Sequence, residues 1–353
     1  MSPSATISRH RDGYRRGAVR RITILGLCLG ALVLLMLVDL VTGPSGLPLS
    51  AIWSALVAGP SGEDRMAATI LWHLRLPQTL MGTIVGFHLG VAGLQMQTIL
   101  NNPLASPFTL GFSAAAGFGA ALAIMFGAAL PLPEFFVVPI CAFVTTLLAT
   151  AIVYGVARLR GATPEILVLA GIAVLFFFQA LQSLLQFMAS PEVLQQIVFW
   201  LFGSLLKATW TSVTVSSVIL CVALPFIARD VWQLTTLRLG DQTAASLGLK
   251  VDALRRRTFV SVAVLTAAAV CFVGTIGFVG LIAPHVARMA VGEDHRYAMP
   301  LSAITGATVL IAASVFGKLI SPAAAIPVGI ITAVAGVPML FLVIAKRGKA
   351  GAA

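Results

Sequence analysis

Charge is what this sequence has least of. Asp, Glu, Lys and Arg make up 10% of its 353 residues, against roughly 25% in soluble globular domains. Apolar runs of about 20 residues, the length that crosses a bilayer as a helix, recur along the chain. A soluble fold would have no interior large enough for so much apolar surface. The runs are continuous and do not alternate apolar with polar, which argues against a porin-like barrel. From Gln78 to Pro133 there is no charged residue at all, and the spans offer no convincing carboxylate. A proton- or sodium-coupled carrier needs intramembrane carboxylates, and a voltage sensor needs an arginine series; neither pattern is here. A GxxxxGK[S/T] phosphate loop is also missing, since Gly317-Lys318 lacks the upstream glycine and the following hydroxyl. The four cysteines (Cys28, Cys141, Cys221, Cys271) lie in apolar runs without ligand spacing. They read as small hydrophobes rather than a metal site or a disulfide framework. The chain is expected to carry no catalytic site, metal or cofactor of its own. Any nucleotide hydrolysis belongs to a partner.

What is there is an all-α, polytopic membrane protein of about ten transmembrane helices. Spans are expected over about 22–41, 77–98, 110–130, 134–154, 165–188, 212–226, 259–278, 301–316 and 328–345. A short irregular one, broken by Gly280 and Pro284, is expected to end near 289. Residues 190–210 are too mixed to span and too apolar to be open loop. They read as an interfacial helix with Trp200 and Trp210 at headgroup level. The basic start followed by an apolar run has the outline of a signal peptide. VDLVTGPSG supplies no small-x-small cleavage site, so the run reads as a retained first helix. The domain plan is a basic tail over 1–21, one transmembrane domain over 22–345 and a basic tail over 346–353.

The formal charge of +11 would suggest nucleic acid in a soluble protein, but in a membrane protein its location matters more than its sum. With both termini in the cytoplasm, 19 of the 23 Lys and Arg fall inside, the orientation that the positive-inside rule selects. Only Arg65, Arg75, Lys207 and Lys318 fall outside. The polar stretch over about 229–258 is then cytoplasmic. Its AASLGL segment, flanked by Asp241 and by Arg255, Arg256 and Arg257, is either a docking knob for a partner or a charged connector.

Polar residues at bilayer depth are costly and face a bundle interior or a cavity. Gln179, Gln182 and Gln186 share one helical face beside Phe176–Phe178, either as the wall of a translocation path or as interhelical hydrogen-bonding groups. His88 and Gln95 are seven apart on one face, with the same two readings open. Gly82, Gly86 and Gly90 are spaced by four and make a smooth stripe where a neighbouring helix can approach.

Several motifs carry a specific likeness: RLPQ at Arg75–Gln78, NNPLASPFTLG at Asn101–Gly111, WLFGSL at Trp200–Leu205 and LGDQTAASLG at Leu239–Gly248. GTIGFVGLIAPHVAR at Gly274–Arg288, GEDHR at Gly292–Arg296 and PVGIITAVAGVP at Pro327–Pro338 continue it. In this order and spacing the chain resembles the permease subunits of bacterial ABC importers for iron–siderophore complexes, haem and vitamin B12, the FecCD/BtuC type. The resemblance covers about 52–346. It implies a BtuC-like type II importer permease in the bacterial cytoplasmic membrane, paired with a second copy or a sister permease. Two cytoplasmic ATP-binding subunits, which hold ATP and Mg, and an extracytoplasmic substrate-binding protein are the implied partners. An iron chelate, most often a ferric siderophore, is the implied substrate, with haem and cobalamin as the alternatives.

Carried onto this sequence, the ATPase contact is Asp241, Ala244, Ala245, Ser246, Leu247, Gly248 and Leu249, with Arg255–Arg257 just beyond. The outer docking residues are Arg75 and Lys318. The cytoplasmic gate lies near Thr163, Pro164 and Glu165, where Glu165 also reads as a helix-start carboxylate. Gln78, Asn101, Ser314 and Ala325 depart from residues common in the family and put a standard salt-bridge pattern with the binding protein in doubt.

Overall fold

In the computed structural model, residues 3–62, 64–321 and 326–350 are described, with side chains only from residue 15 to 341. Every regular element among them is helical. Helix α1 (Pro3–Val41) begins well before the expected residue 22, so the basic segment Arg15–Arg21 continues the first span. A short helix, α2 (Leu49–Ala58), precedes the second span. That span also starts early, at α3 (Arg65–Thr69), where the Asp64 carboxylate accepts the Ala67 N–H. It widens into a π turn over Ile70–Arg75 and continues as α4 (Leu76–Ile99). Pro77 has no N–H to give, and the hydrogen-bond ladder is re-spaced just ahead of it.

The chain then runs through α5 (Phe112–Phe126), α6 (Glu134–Arg158), α7 (Pro164–Met188) and the short α8 (Pro191–Leu201). Next come α9 (Trp210–Leu237), the six-residue α10 (Asp241–Ser246) and α11 (Val251–Val273). The last three helices are α12 (Val279–Val291), α13 (His295–Ile320) and α14 (Val328–Ala350). Eight helices among the described residues are long and apolar enough to cross a membrane. Two shorter apolar ones, Val279–Val291 and Val328–Phe341, fall where the remaining expected spans lie.

The bundle is built around α4, which is buried nearly throughout. Its glycine stripe is the reason. A methyl group on Gly86 would sit 2.3 Å from the Ala307 Cα of α13, and one on Gly90 would sit 2.2 Å from the Ser302 carbonyl oxygen. The Ser302 hydroxyl donates to the Gly90 carbonyl at 2.7 Å. Between helices in lipid, where the hydrophobic effect gives no driving force, close backbone approach of this kind supplies the attraction through van der Waals packing.

Two helices extend beyond their expected ends into polar sequence. Helix α9 continues past Phe226 to Leu237, and α11 starts at Val251, so Arg255–Arg257 stand in a helix. The break expected inside α12 lies ahead of it. Helix α11 stops at Gly274 (φ 78°), and the chain turns again at Phe278 (φ 66°). The irregular backbone between them is covered by protein: the Ser204 N–H donates to the Val273 carbonyl at 2.7 Å, and Thr275 donates to the Leu201 carbonyl. Non-helical backbone at membrane depth persists only when so covered.

Ion pairs and hydrogen bonds sort the connections into two ends. At the basic end Arg21 meets Asp294 (3.9 Å), and Arg238 and Arg288 meet Glu293 (3.0 and 3.8 Å). Arg296 holds Asp294 at 2.6 Å and lies over the Trp232 ring. The Asp294 carboxyl is held below the usual carboxylate range, first by its hydrogen bond from Arg296. At the opposite end the last turn of α1 meets the last turn of α13. There too the Trp210 indole donates to the Trp72 carbonyl at 2.8 Å. Trp200 instead packs, half-buried, against an internal apolar cluster.

Candidate functional site

The 238–250 connection projects a small knob from the basic end. Gly240 (φ 99°) and Gly248 (φ 86°) bracket α10 with left-handed backbone that an L side chain adopts only under strain. The Asp241 carboxylate lies in the first turn of α10, where the helix dipole favours it. Ala244 is fully buried and anchors the knob, whereas Ala245, Ser246, Leu247 and Gly248 are exposed, Leu247 at 64%. Leu249 is half-buried. The knob therefore offers a small exposed apolar cap of Ala245 and Leu247.

Arg255 joins this knob to two other connections. Its side chain is 3% exposed. Nη2 donates to both Asp241 oxygens at 2.8 and 3.1 Å. Nε donates to the Ile99 carbonyl at 3.1 Å, at the end of α4, and Nη1 to the Ala162 carbonyl at 3.4 Å. Ala162 is held at φ 49°, immediately before Thr163, Pro164 and Glu165. Thr163 and Glu165 are exposed, and Pro164 is half-buried at the start of α7. One guanidinium thus ties the knob, the α4 terminus and the α6–α7 connection together. Arg255 is accordingly no surface contact. Arg257 is also turned inward, onto Asp230 (3.0 Å) and Gln233 (3.0 Å) of α9. Of the three arginines, Arg256 is the exposed one.

The two outer-end cations turn inward. Of Arg75 and Lys318, both expected at the rim, Arg75 is buried and Lys318 is half-buried. Arg75 donates to the Leu40 and Val41 carbonyls at 2.6 and 2.9 Å, where it satisfies the last turn of α1. Lys318 donates at 2.8 Å to Asp39, which is fully buried and also accepts from Thr79 at 2.6 Å. Both cations are engaged by partners inside the bundle. The exposed cations of that end include Arg65 and Lys207.

The expected path residues separate into two sets. His88 and Gln95 are buried in α4. The His88 Nε2 lies 3.2 Å from both the Ser216 carbonyl and the Ser216 hydroxyl of α9. Both residues are enclosed in the bundle core, where His88 meets α9. On α7, Gln179 is exposed, and Gln182 and Gln186 are half-buried, Gln182 packing beside Gly117 of α5. Helix α7 lies at the edge of the bundle with Leu169, Phe176 and Phe187 exposed at 70%, 65% and 88%. Among the departures, Asn101 adopts φ 45°, which asparagine tolerates, and accepts from Arg238 at 3.5 Å. Gln78 is half-buried, Ser314 is buried, and Ala325 lies outside the described residues.

Residues 31–346 match the FecCD transport family. The chain belongs to that family. It is 34% identical to the cobalamin import system permease protein BtuC of Halobacterium salinarum, over 98% of this chain and 92% of that one. It is 33% identical to the iron(3+)-hydroxamate import system permease protein FhuB of Bacillus subtilis, over 94% and 84%. The fold is similar to a solved inward-facing transporter assigned to the metal-chelate type of ABC transporters, with TM-score 0.76, 29% identity, 90% of this chain and 98% of that one covered. This FecCD-family chain thus has a BtuC-like permease fold.

Two buried carboxylates are not foreseen from the sequence. Asp39 sits in the last turns of an apolar run, and Asp230 in what read as loop. The available signal was the cost of a lone buried carboxylate, which demands a cation nearby.

Proposed function

We propose that this chain is the membrane subunit of an ABC importer that carries an iron chelate, a ferric siderophore, inward across the bacterial cytoplasmic membrane. ATP, with Mg, is hydrolysed in two separate subunits. The basic end faces the cytoplasm and carries both termini. The observation that carries this reading is the α10 knob, whose exposed Ala245–Gly248 cap is braced through Arg255 to the connection ahead of α7. A push on the cap is transmitted to the start of α7 without crossing the membrane core. Gly248 and Leu249 complete the seat for the ATPase, and Thr163, Pro164 and Glu165 form the inner gate.

The unpartnered face of α7 supports pairing with a second permease, identical or sister. Gln179, Gln182 and Gln186 then wall a path between the two copies. With Arg75 and Lys318 engaged internally, Arg65 and Lys207 are the cations at hand for acidic residues of an extracytoplasmic binding protein. Iron chelate is favoured by the iron–hydroxamate relative and by the metal-chelate-type fold match. The cobalamin relative supports a second reading, a corrinoid substrate.

The test is uptake in proteoliposomes that hold the permease, its ATPase and its binding protein. Ferric hydroxamate is expected to enter only with ATP, ATPase and binding protein present. Uptake of cobalamin instead would move the substrate to the second reading. Uptake without the ATPase would sink the importer assignment.

A further inference from the structure

A groove of 610 Å³ runs down the outside of the bundle between α6, α9 and α11. Its walls are Phe143 of α6, Val218, Val222 and Phe226 of α9, and Val260 and Val264 of α11. Val218, Val222, Phe226 and Val260 are more than half exposed. From Val218 to Arg229, α9 rises roughly 16 Å at 1.5 Å per residue. That is close to the roughly 15 Å of hydrocarbon in one leaflet of a ~30 Å core. At its basic end the groove closes on Arg229, Arg256 and Arg257.

Those arginines are not equivalent. Arg257 is committed to Asp230 and Gln233. Arg229 makes one long contact to the same carboxylate, 3.6 Å, with its side chain 60% exposed. Arg256 has no hydrogen-bond or ion-pair partner among the described residues, and it also borders a 300 Å³ recess that holds Arg158 and Asp252. Four arginines against Asp230 and Asp252 leave the rim positive.

We propose that this groove binds one anionic phospholipid of the inner leaflet. Arg229 and Arg256 take the headgroup phosphate, and the acyl chains lie along the α9 wall. A phosphate accepts several N–H donors, and guanidinium is suited to it. Basic pockets between transmembrane helices at the cytoplasmic side suit such headgroups. The apolar wall, one leaflet long, accounts for a feature that the charges alone do not, and it favours a lipid over a free phosphate or a soluble protein segment. The site rests on the membrane orientation above but not on the transported substrate.

The test is native mass spectrometry of the full-length protein in detergent, titrated with phosphatidylglycerol or with phosphatidylcholine of the same acyl chains. The wild type is expected to retain phosphatidylglycerol about tenfold better. R229Q/R256Q should lower that retention to the phosphatidylcholine level with an unchanged melting temperature, since both guanidiniums are solvent-exposed. V222W, which fills the groove without touching charge, should lower retention of phosphatidylglycerol as well. Equal retention of the two lipids by the wild type, or wild-type retention by either variant, would overturn the proposal. So would displacement of the lipid by glycerol 3-phosphate, which would make the site one for a free phosphate. Loss of ATPase association by R229Q/R256Q with lipid retention intact would assign the arginines to that partner and overturn it too. A protein that retains phosphatidylglycerol in this way and imports no chelate would leave the lipid site standing and the transport reading fallen.

Discussion

Arg255 and Asp241 form an ion pair with one buried partner and one half-exposed partner, 3% and 51%. That asymmetry makes Arg255 a positioning residue and Asp241 its adjustable contact. Removing Asp241 leaves a guanidinium still held by the Ile99 and Ala162 carbonyls. Solvent at Asp241 screens the pair, so Asp241→Asn should cost no more than about 1 kcal/mol. Arg255→Ala strips donors from two carbonyls and should cost about 2–4 kcal/mol. In proteoliposomes with the ATPase, Asp241→Asn is expected to keep ATP hydrolysis while substrate uptake per ATP falls about tenfold. Arg255→Lys should restore stability but not coupling, because one ammonium cannot span three acceptors. Unchanged uptake per ATP in Asp241→Asn would show that the brace is structural only.

Leu247 is exposed at 64% on a knob whose fold depends on Ala244 and two glycines. Leu247→Asp puts a charge where an apolar cap is expected to meet a partner, while it leaves every internal contact of the knob in place. Co-purification of the ATPase should fall at least tenfold, with the permease melting temperature within about 1 °C of wild type. Retained co-purification would remove the knob from the ATPase interface.

Spans and knob were legible in the sequence because lipid imposes continuous apolar runs and charge sorts by side. The partners of the charges were not. Arg75 and Lys318 read as outward-facing because a cation at the outer end of a span is by default solvated. Their actual partners lie 35 and 279 residues away in the chain, and no local pattern encodes such a contact. His88 and Gln95 read as a possible path on the same footing, since a helical face does not say which neighbour covers it. The glycine stripe was legible as a contact, but its partner, α13, was not.

That contact predicts a sharp contrast. Gly86→Val drives a side chain into the backbone at Ala307, which no rotamer change relieves, and overpacking of this kind costs typically 1–3 kcal/mol or more. Gly155 in α6 has nothing within 4 Å of an added Cβ, and alanine there should be neutral or gain about 0.5–1 kcal/mol of helix propensity. Thermal unfolding in detergent should separate the two, with Gly86→Val shifted down by several degrees and Gly155→Ala unchanged or higher.

Asp39 and Lys318 allow the internal and docking roles to be told apart. Asp39 is fully buried, with Lys318 at 2.8 Å and Thr79 at 2.6 Å. Lys318→Met leaves that carboxylate without its cation and should cost about 3–5 kcal/mol, the usual loss when one member of a buried pair is removed. Asp39→Asn/Lys318→Met replaces the pair by neutral groups and keeps an amide for Thr79. It should recover most of the loss, because the desolvation of two charges is relieved together with their attraction. A docking role makes the opposite forecast: the double variant would lose affinity for the binding protein as fully as Lys318→Met alone. The decisive measurement pairs thermal unfolding with titration of the binding protein onto the permease–ATPase complex. Recovered stability with wild-type affinity is the expected outcome, whereas recovered stability with lost affinity would return Lys318 to the outer rim.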